Sequence, residues 1–270
     1  MSTQKEIQAQ YDGFNSSPLL WNNSKTFQLN QYIIDSPRKN IYDQVIESKV
    51  RLGKRVELFL LHQLKNNEQI SNIHENIQIQ KEKITLGELD FIFLENTKPI
   101  HLEAIFKFYL YDPNVGSSEI DHWIGPNRND SLRHKLDKLI TKQLPRLRLP
   151  ETMAILQKKG FQLDDMKQYV HFQAQLFVPY GEKQPSFNLI CPDSIKGFYI
   201  SLNQLDKFKK CQFYIPTKVN WLANPTADKN FIGIEAFKQC VSAFLGEKRS
   251  PLCWMKDENN LLTKFFLVWW

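Results

Sequence analysis

Leu86-Gly87-Glu88-Leu89-Asp90 and, one strand further on, His101-Leu102-Glu103-Ala104-Ile105-Phe106-Lys107 decide the fold reading of this chain. Residues 88–95 and 100–111 read as strands joined by the turn-like 95–99, which sets Asp90 and Glu103 side by side in an antiparallel hairpin. In the second strand Leu102, Ala104, Phe106, Phe108 and Leu110 alternate with Glu103, Ile105, Lys107 and Tyr109, so one face is wholly apolar and must be buried. The polar face also carries Ile92, Leu94, Ile105 and Tyr109, and charges among such neighbours tend to be paired or metal-bound. The competing reading makes Glu88, Asp90, Glu103 and Lys107 a solvated sheet face with surface ion pairs.

Hydrolysis of a phosphodiester needs a nucleophilic water and charge stabilisation at phosphorus, and Mg²⁺ held by carboxylates supplies both. Asp90 and Glu103 suit the hard-oxygen preference of Mg²⁺ or Mn²⁺. Glu57, an acid among apolar neighbours on the preceding helix, is the third candidate ligand. Lys107 would orient the attacking water. Glu88 and His101 share strand faces with Asp90 and Glu103 and are candidate supporting groups, as is Gln143.

Outward from the hairpin, residues 1–12 read as a polar tail and Asp35-Ser36-Pro37 as a helix start. Ile41, Val45, Val50, Val56, Phe59, Leu60 and Leu64 predict two helices with a break near Gly53. Residues 77–80 precede the hairpin as another strand. A helix over 130–144 is predicted with Leu132, Leu136, Leu139 and Ile140 as its core stripe. Arg128, Arg133, Lys135, Lys138 and Lys142 on or near it are candidate phosphate contacts. A soft boundary at Arg148-Leu149-Pro150 divides a core, residues 13–150, from an α/β C-terminal half, 151–270, packed on or completing the same domain. That half holds a strand at 170–178, a helix at 235–245 and a hairpin of 252–256 with 261–270.

The 270 residues, 42% hydrophobic and 24% charged, have an ordinary globular composition for which disorder is not the default, and a net charge of +6 leans weakly toward polyanionic partners. Cys191, Cys211, Cys240 and Cys253 lack metal-ligand spacing and read as reduced core thiols. No apolar run is long enough to span a membrane and no secretory signal is visible, which points to a cytoplasmic protein without a membrane partner. The histidines show no zinc motif, and no nucleophile elbow, Walker A or dinucleotide fingerprint is present.

Gly87-Glu88-Leu89-Asp90, the apolar strand and Glu103 resemble the signature of PD-(D/E)XK nucleases. The resemblance implies an α/β (α+β) fold with a restriction-endonuclease-like core, a mixed sheet flanked by helices, and a metal-dependent nuclease acting on DNA or RNA. Catalytic roles would fall to Glu57, Asp90, Glu103 and Lys107, the three acids holding Mg²⁺ or Mn²⁺. A non-catalytic nucleic-acid-binding or protein-interaction module on the same fold is the alternative. The signature's lysine position is Ile105 here, and Lys107 would start about 13 Å from Glu103 along a regular strand. More closely, the chain resembles the bacterial family known only as domain of unknown function eighteen fifty-three. That likeness rests on Ser17-Pro18-Leu19-Leu20, Leu52-Gly53 with Glu57, residues 85–91, His101-Leu102-Glu103, Lys107-Phe108-Tyr109-Leu110 and Trp123-Ile124-Gly125-Pro126-Asn127 with Asp130, Leu132, Lys135 and Leu136.

Overall fold

The structure is a computed structural model that describes residues 3–22, 26–34, 41–182, 185–226 and 228–270. In chain order its regular elements are α1 (Gln4–Asn15), α2 (Leu52–Lys65), β1 (Ile70–Lys81), β2 (Ile84–Glu95), β3 (Lys98–Tyr111), β4 (Trp123–Ile124), α3 (Leu132–Lys138) and α4 (Pro150–Lys158). There follow β5 (Lys167–Pro179), β6 (Ile195–Ser201), β7 (Gln212–Tyr214), α5 (Ile234–Gly246), β8 (Leu252–Lys256) and β9 (Leu262–Val268). They form two mixed α/β units that interleave along the chain. One, the hairpin unit, comprises Leu19–Phe106 and His134–Gln173; the other, the mixed-sheet unit, comprises Met1–Pro18, Lys107–Arg133 and Ala174–Trp270. The boundary expected near residue 150 falls inside the hairpin unit.

In the hairpin unit β1, β2 and β3 pair antiparallel in sequence order. The β2–β3 turn is Asn96-Thr97, both residues at positive φ, the two-residue geometry whose twist matches that of the flanking strands. Ile77, Ile79, Leu89 and Ile92 form one buried cluster with Leu147 of the 3₁₀ turn Leu144–Arg148, Leu156 of α4 and Phe161. The predicted strands are present and longer at their N-terminal ends.

Only one of the two helices predicted between Ile41 and Leu64 forms. Gly53 lies in the first turn of α2, and residues 41–47 are irregular. Their four-residue spacing is real but displaced by one: Tyr42 and Ile46 are buried, whereas Ile41 and Val45 are exposed. Buried α2 side chains hold this segment, since Arg55 donates to the carbonyls of Glu47 and Val50, and His62 Nε2 lies 3.0 Å from that of Ile41. Asp35-Ser36-Pro37 lies outside the described residues.

In the mixed-sheet unit β5, β6 and β9 pair parallel, and β8 and β7 continue antiparallel from β9. Phe213, Cys253, Met255, Phe265 and Leu267 cover one sheet face and receive Phe237 and Val241 of α5. The hairpin at 252–268 forms as predicted, with Asp257 Oδ1 accepting from the amides of Asn259 and Leu261 in its turn. Residues expected as a polar tail form α1 instead: a Thr3–Glu6 capping box satisfies its first turn, and Ile7, Tyr11 and Phe14 are buried. The four cysteines are free, but only Cys253 is a core thiol and Cys240 is exposed. No helix among the described residues is long and apolar enough to cross a membrane.

Candidate active site

Strands β2 and β3 run in register from Phe91 opposite Leu102 to Glu95 opposite Lys98. One step further, Asp90 Oδ2 accepts the amide of Ala104 at 2.9 Å. Glu103 is fully buried, 0% exposed, which removes the solvated-face reading for this acid. Its Oε1 lies 3.2 Å from His101 Nε2, and its Oε2 accepts from Gln143 Nε2 at 2.6 Å. His101 is itself buried, with Nδ1 3.0 Å from Gln168 Nε2. Ile105, at the lysine position of the signature, is buried, so both faces of β3 are covered here.

Burial pushes the Asp90 carboxyl up to about 8, and the Glu103 charge pushes in the same direction. The Ala104 amide and Lys135 pull against this, while Glu57 adds to it. The two carboxylates stand on adjoining strands, with Asp90 desolvated beside the fully buried Glu103. Glu57 acts from the side: its Oε2 is 2.8 Å from Lys54 Nζ, which also bonds Asn76. Glu88 stands opposite Gln78 across the β1–β2 ladder, half-buried. Among the described residues no three His, Cys, Asp or Glu side chains form a ready metal cage, so the convergent element is the pair.

The route by which Gln143 arrives was hidden in the sequence. After α3 the helix widens into a π segment, Leu139–Gln143, which inserts an extra residue into the turn. In an α-helix positions 135 and 143 would diverge by about 80°, and one inserted residue brings them back to the same face. Lys135 Nζ consequently donates to Gln143 Oε1 at 2.7 Å, making a chain Lys135–Gln143–Glu103–His101–Gln168. Of the predicted stripe Leu132, Leu136 and Leu139 are buried, but Ile140 is 43% exposed.

Lys135, expected as a phosphate contact, thus stands in the carboxylate cluster. Lys107 belongs to the mixed-sheet unit, where its Nζ lies 2.9 Å from Asp130. In that unit Arg128 pairs with Asp112 and stacks on Trp270, and Arg133 pairs with Asp121. Lys138 and Lys142 are exposed, without an ion pair among the described residues. Gly87 serves the site's edge: beside a ladder irregularity, its absent side chain admits Arg146, whose Nε would lie 2.2 Å from an added Cβ.

Fold and site together define a mixed α/β protein with a buried carboxylate pair on a β-hairpin, braced by a lysine–glutamine relay from a π-distorted helix. Residues 2–264 match the family described as Domain of unknown function (DUF1853), and the chain belongs to that family. The comparisons with curated proteins and with solved structures each returned no match.

Proposed function

We propose that this protein is a metal-dependent nuclease-type hydrolase of phosphodiester bonds in DNA or RNA, built on a PD-(D/E)XK-like core. The observation that carries the reading is the Asp90–Glu103 pair, two acids on adjoining strands with Asp90 held largely protonated by burial and like charge. Such a pair is costly for stability alone, and perturbed carboxylates of this kind concentrate at functional sites.

The donor set fits Mg²⁺ or Mn²⁺: hard oxygens on rigid strands, in the one or two carboxylates that magnesium commonly takes from protein while keeping several waters. Bound there, the ion would polarise the phosphoryl group and lower the pKa of a coordinated water. His101 and Gln143 each engage one Glu103 oxygen, which stops that carboxylate from rotating and leaves a lone pair on each oxygen. Lys135 offsets the negative charge and takes the water-orienting role that the resemblance gives to Lys107. Exposed Lys138 and Lys142 would meet substrate phosphates.

The two lysines separate the reading experimentally. Single-stranded, duplex and branched DNA and RNA are incubated with Mg²⁺ or Mn²⁺. Lys135→Ala is expected to lower the cleavage rate about 100-fold or more, whereas Lys107→Ala, which loses a half-exposed pair with Asp130, stays near wild type. Equal losses in both variants would remove the role assigned to Lys135. The engagement of both Glu103 oxygens favours one second reading, a nucleic-acid-binding module without chemistry. Salt-sensitive binding by a wild-type protein that never cleaves would establish it.

A further inference from the structure

The mixed-sheet unit contains a lysine where a core residue belongs. On β9, Phe265 and Leu267 enter the hydrophobic cluster under α5, so Lys264 and Phe266 point to the opposite face. Lys264 is only 5% exposed and, among the described residues, has no carboxylate partner. Its Nζ donates to Gln175 Oε1 at 2.6 Å and to the carbonyl of Trp221, and lies 5.4 Å from the centre of the Trp254 ring. Neutral acceptors and a π face are a weak replacement for water around an ammonium ion. A lysine kept in such a place without an acid asks for an anion from elsewhere.

Lys264 borders a cavity of about 420 Å³, within the size range of small-molecule sites. Lys196 of β6 also lines it, and among the described residues the lining contains no acid. Ser16, Asn224 and Thr263 offer polar groups, while Leu222, Leu262 and Trp254 offer apolar surface. The buried indole N–H of Trp254 makes no hydrogen bond among the described residues. Two cations, polar side chains and an apolar wall define one ligand chemistry.

We infer that this cavity binds a small organic anion, a carboxylate or phosphate monoester with a compact apolar body, whose charge is countered by Lys264 and Lys196. Burial, aided by the nearby Lys196 charge, lowers the Lys264 ammonium to about 7. The groups packed around it from the other strands, Gln175, Trp254 and Phe108, do not titrate near neutrality. Anion binding should therefore draw a proton onto Lys264, strongest on the acid side of neutrality and weakening as pH rises.

The probe is benzoate, whose charge is constant across the range, with neutral benzamide as its control, titrated calorimetrically into the full chain. Expected are saturable benzoate binding with proton uptake, at least about tenfold weaker at about pH 8.5 than at about pH 6, and much weaker binding of benzamide. Lys264→Met should abolish both the binding and its pH dependence. Lys196→Gln, a half-buried position whose change leaves the core intact, should weaken binding several-fold without altering the melting temperature. Absence of saturable binding, equal binding of benzamide, or unchanged affinity in Lys196→Gln together with Lys264→Met would overturn the inference.

Discussion

Asp90→Asn is expected to raise the thermal stability of the metal-free protein at neutral pH while abolishing divalent-dependent cleavage. The direction follows from linkage. The Asp90 carboxyl is raised in the folded protein, so folding is favoured most when the group is protonated in both states, below about pH 4. Stability is then lost progressively as pH rises from there to about 8, where the folded carboxyl finally ionises. Asparagine keeps the hydrogen bond from the Ala104 amide and removes the repulsion from Glu103 and Glu57. The gain near pH 7 should be about 2 kcal/mol or more, read as a melting-temperature increase of several degrees and as a flatter dependence of stability on pH between about 4 and 8. Loss of activity coupled to gain of stability distinguishes a functional acid from a structural one. A variant that is less stable than wild type and equally active would mean that Asp90 serves the fold.

Gly197→Ala should be the most damaging single methyl addition in the mixed-sheet unit. Gly197 pairs with Lys264 between the parallel strands β6 and β9. A Cβ there would lie 1.9 Å from the Lys264 carbonyl oxygen and 3.2 Å from the Phe177 ring. The obstructing atom is backbone, so relief requires β6 and β9 to separate, breaking ladder hydrogen bonds and opening the packing of Phe265 and Phe266. A cost of about 3 kcal/mol or more is expected, measured as a fall in the denaturant midpoint. Gly233→Ala, with no atom near the added methyl, serves as the tolerated control. Comparable melting curves for the two variants would show that the β6–β9 register is wrong.

Much of the hairpin unit was legible because a β-sheet repeats every two residues and its turns are short. The run from Leu102 to Leu110 identified β3 and, with residues 88–95, the facing of Asp90 and Glu103. Helical features were read less well wherever local geometry departs from 3.6 residues per turn. The π insertion at Leu139–Gln143 leaves no trace in apolar spacing, yet it decides that Lys135 meets Gln143. At the N-terminus, polar composition concealed a helix whose sequence sign was its Thr3–Glu6 capping box. The burial of Lys264 had no sequence sign, because alternation around Thr263, Phe265 and Leu267 marks one face as core and says nothing of what covers the other. Lys135 reaches the carboxylates from α3 through Gln143, which strand spacing cannot reveal.

The central claim, that Asp90 and Glu103 form a divalent-metal centre, is tested most directly by calorimetric titration of Mn²⁺ into wild type, Asp90→Asn and Glu103→Gln near pH 7. The wild-type protein should bind with release of about one proton, since Asp90 must ionise to ligate, and both variants should lose that binding while remaining folded. Mn²⁺ binding by Asp90→Asn with wild-type affinity and no change in proton release would contradict it.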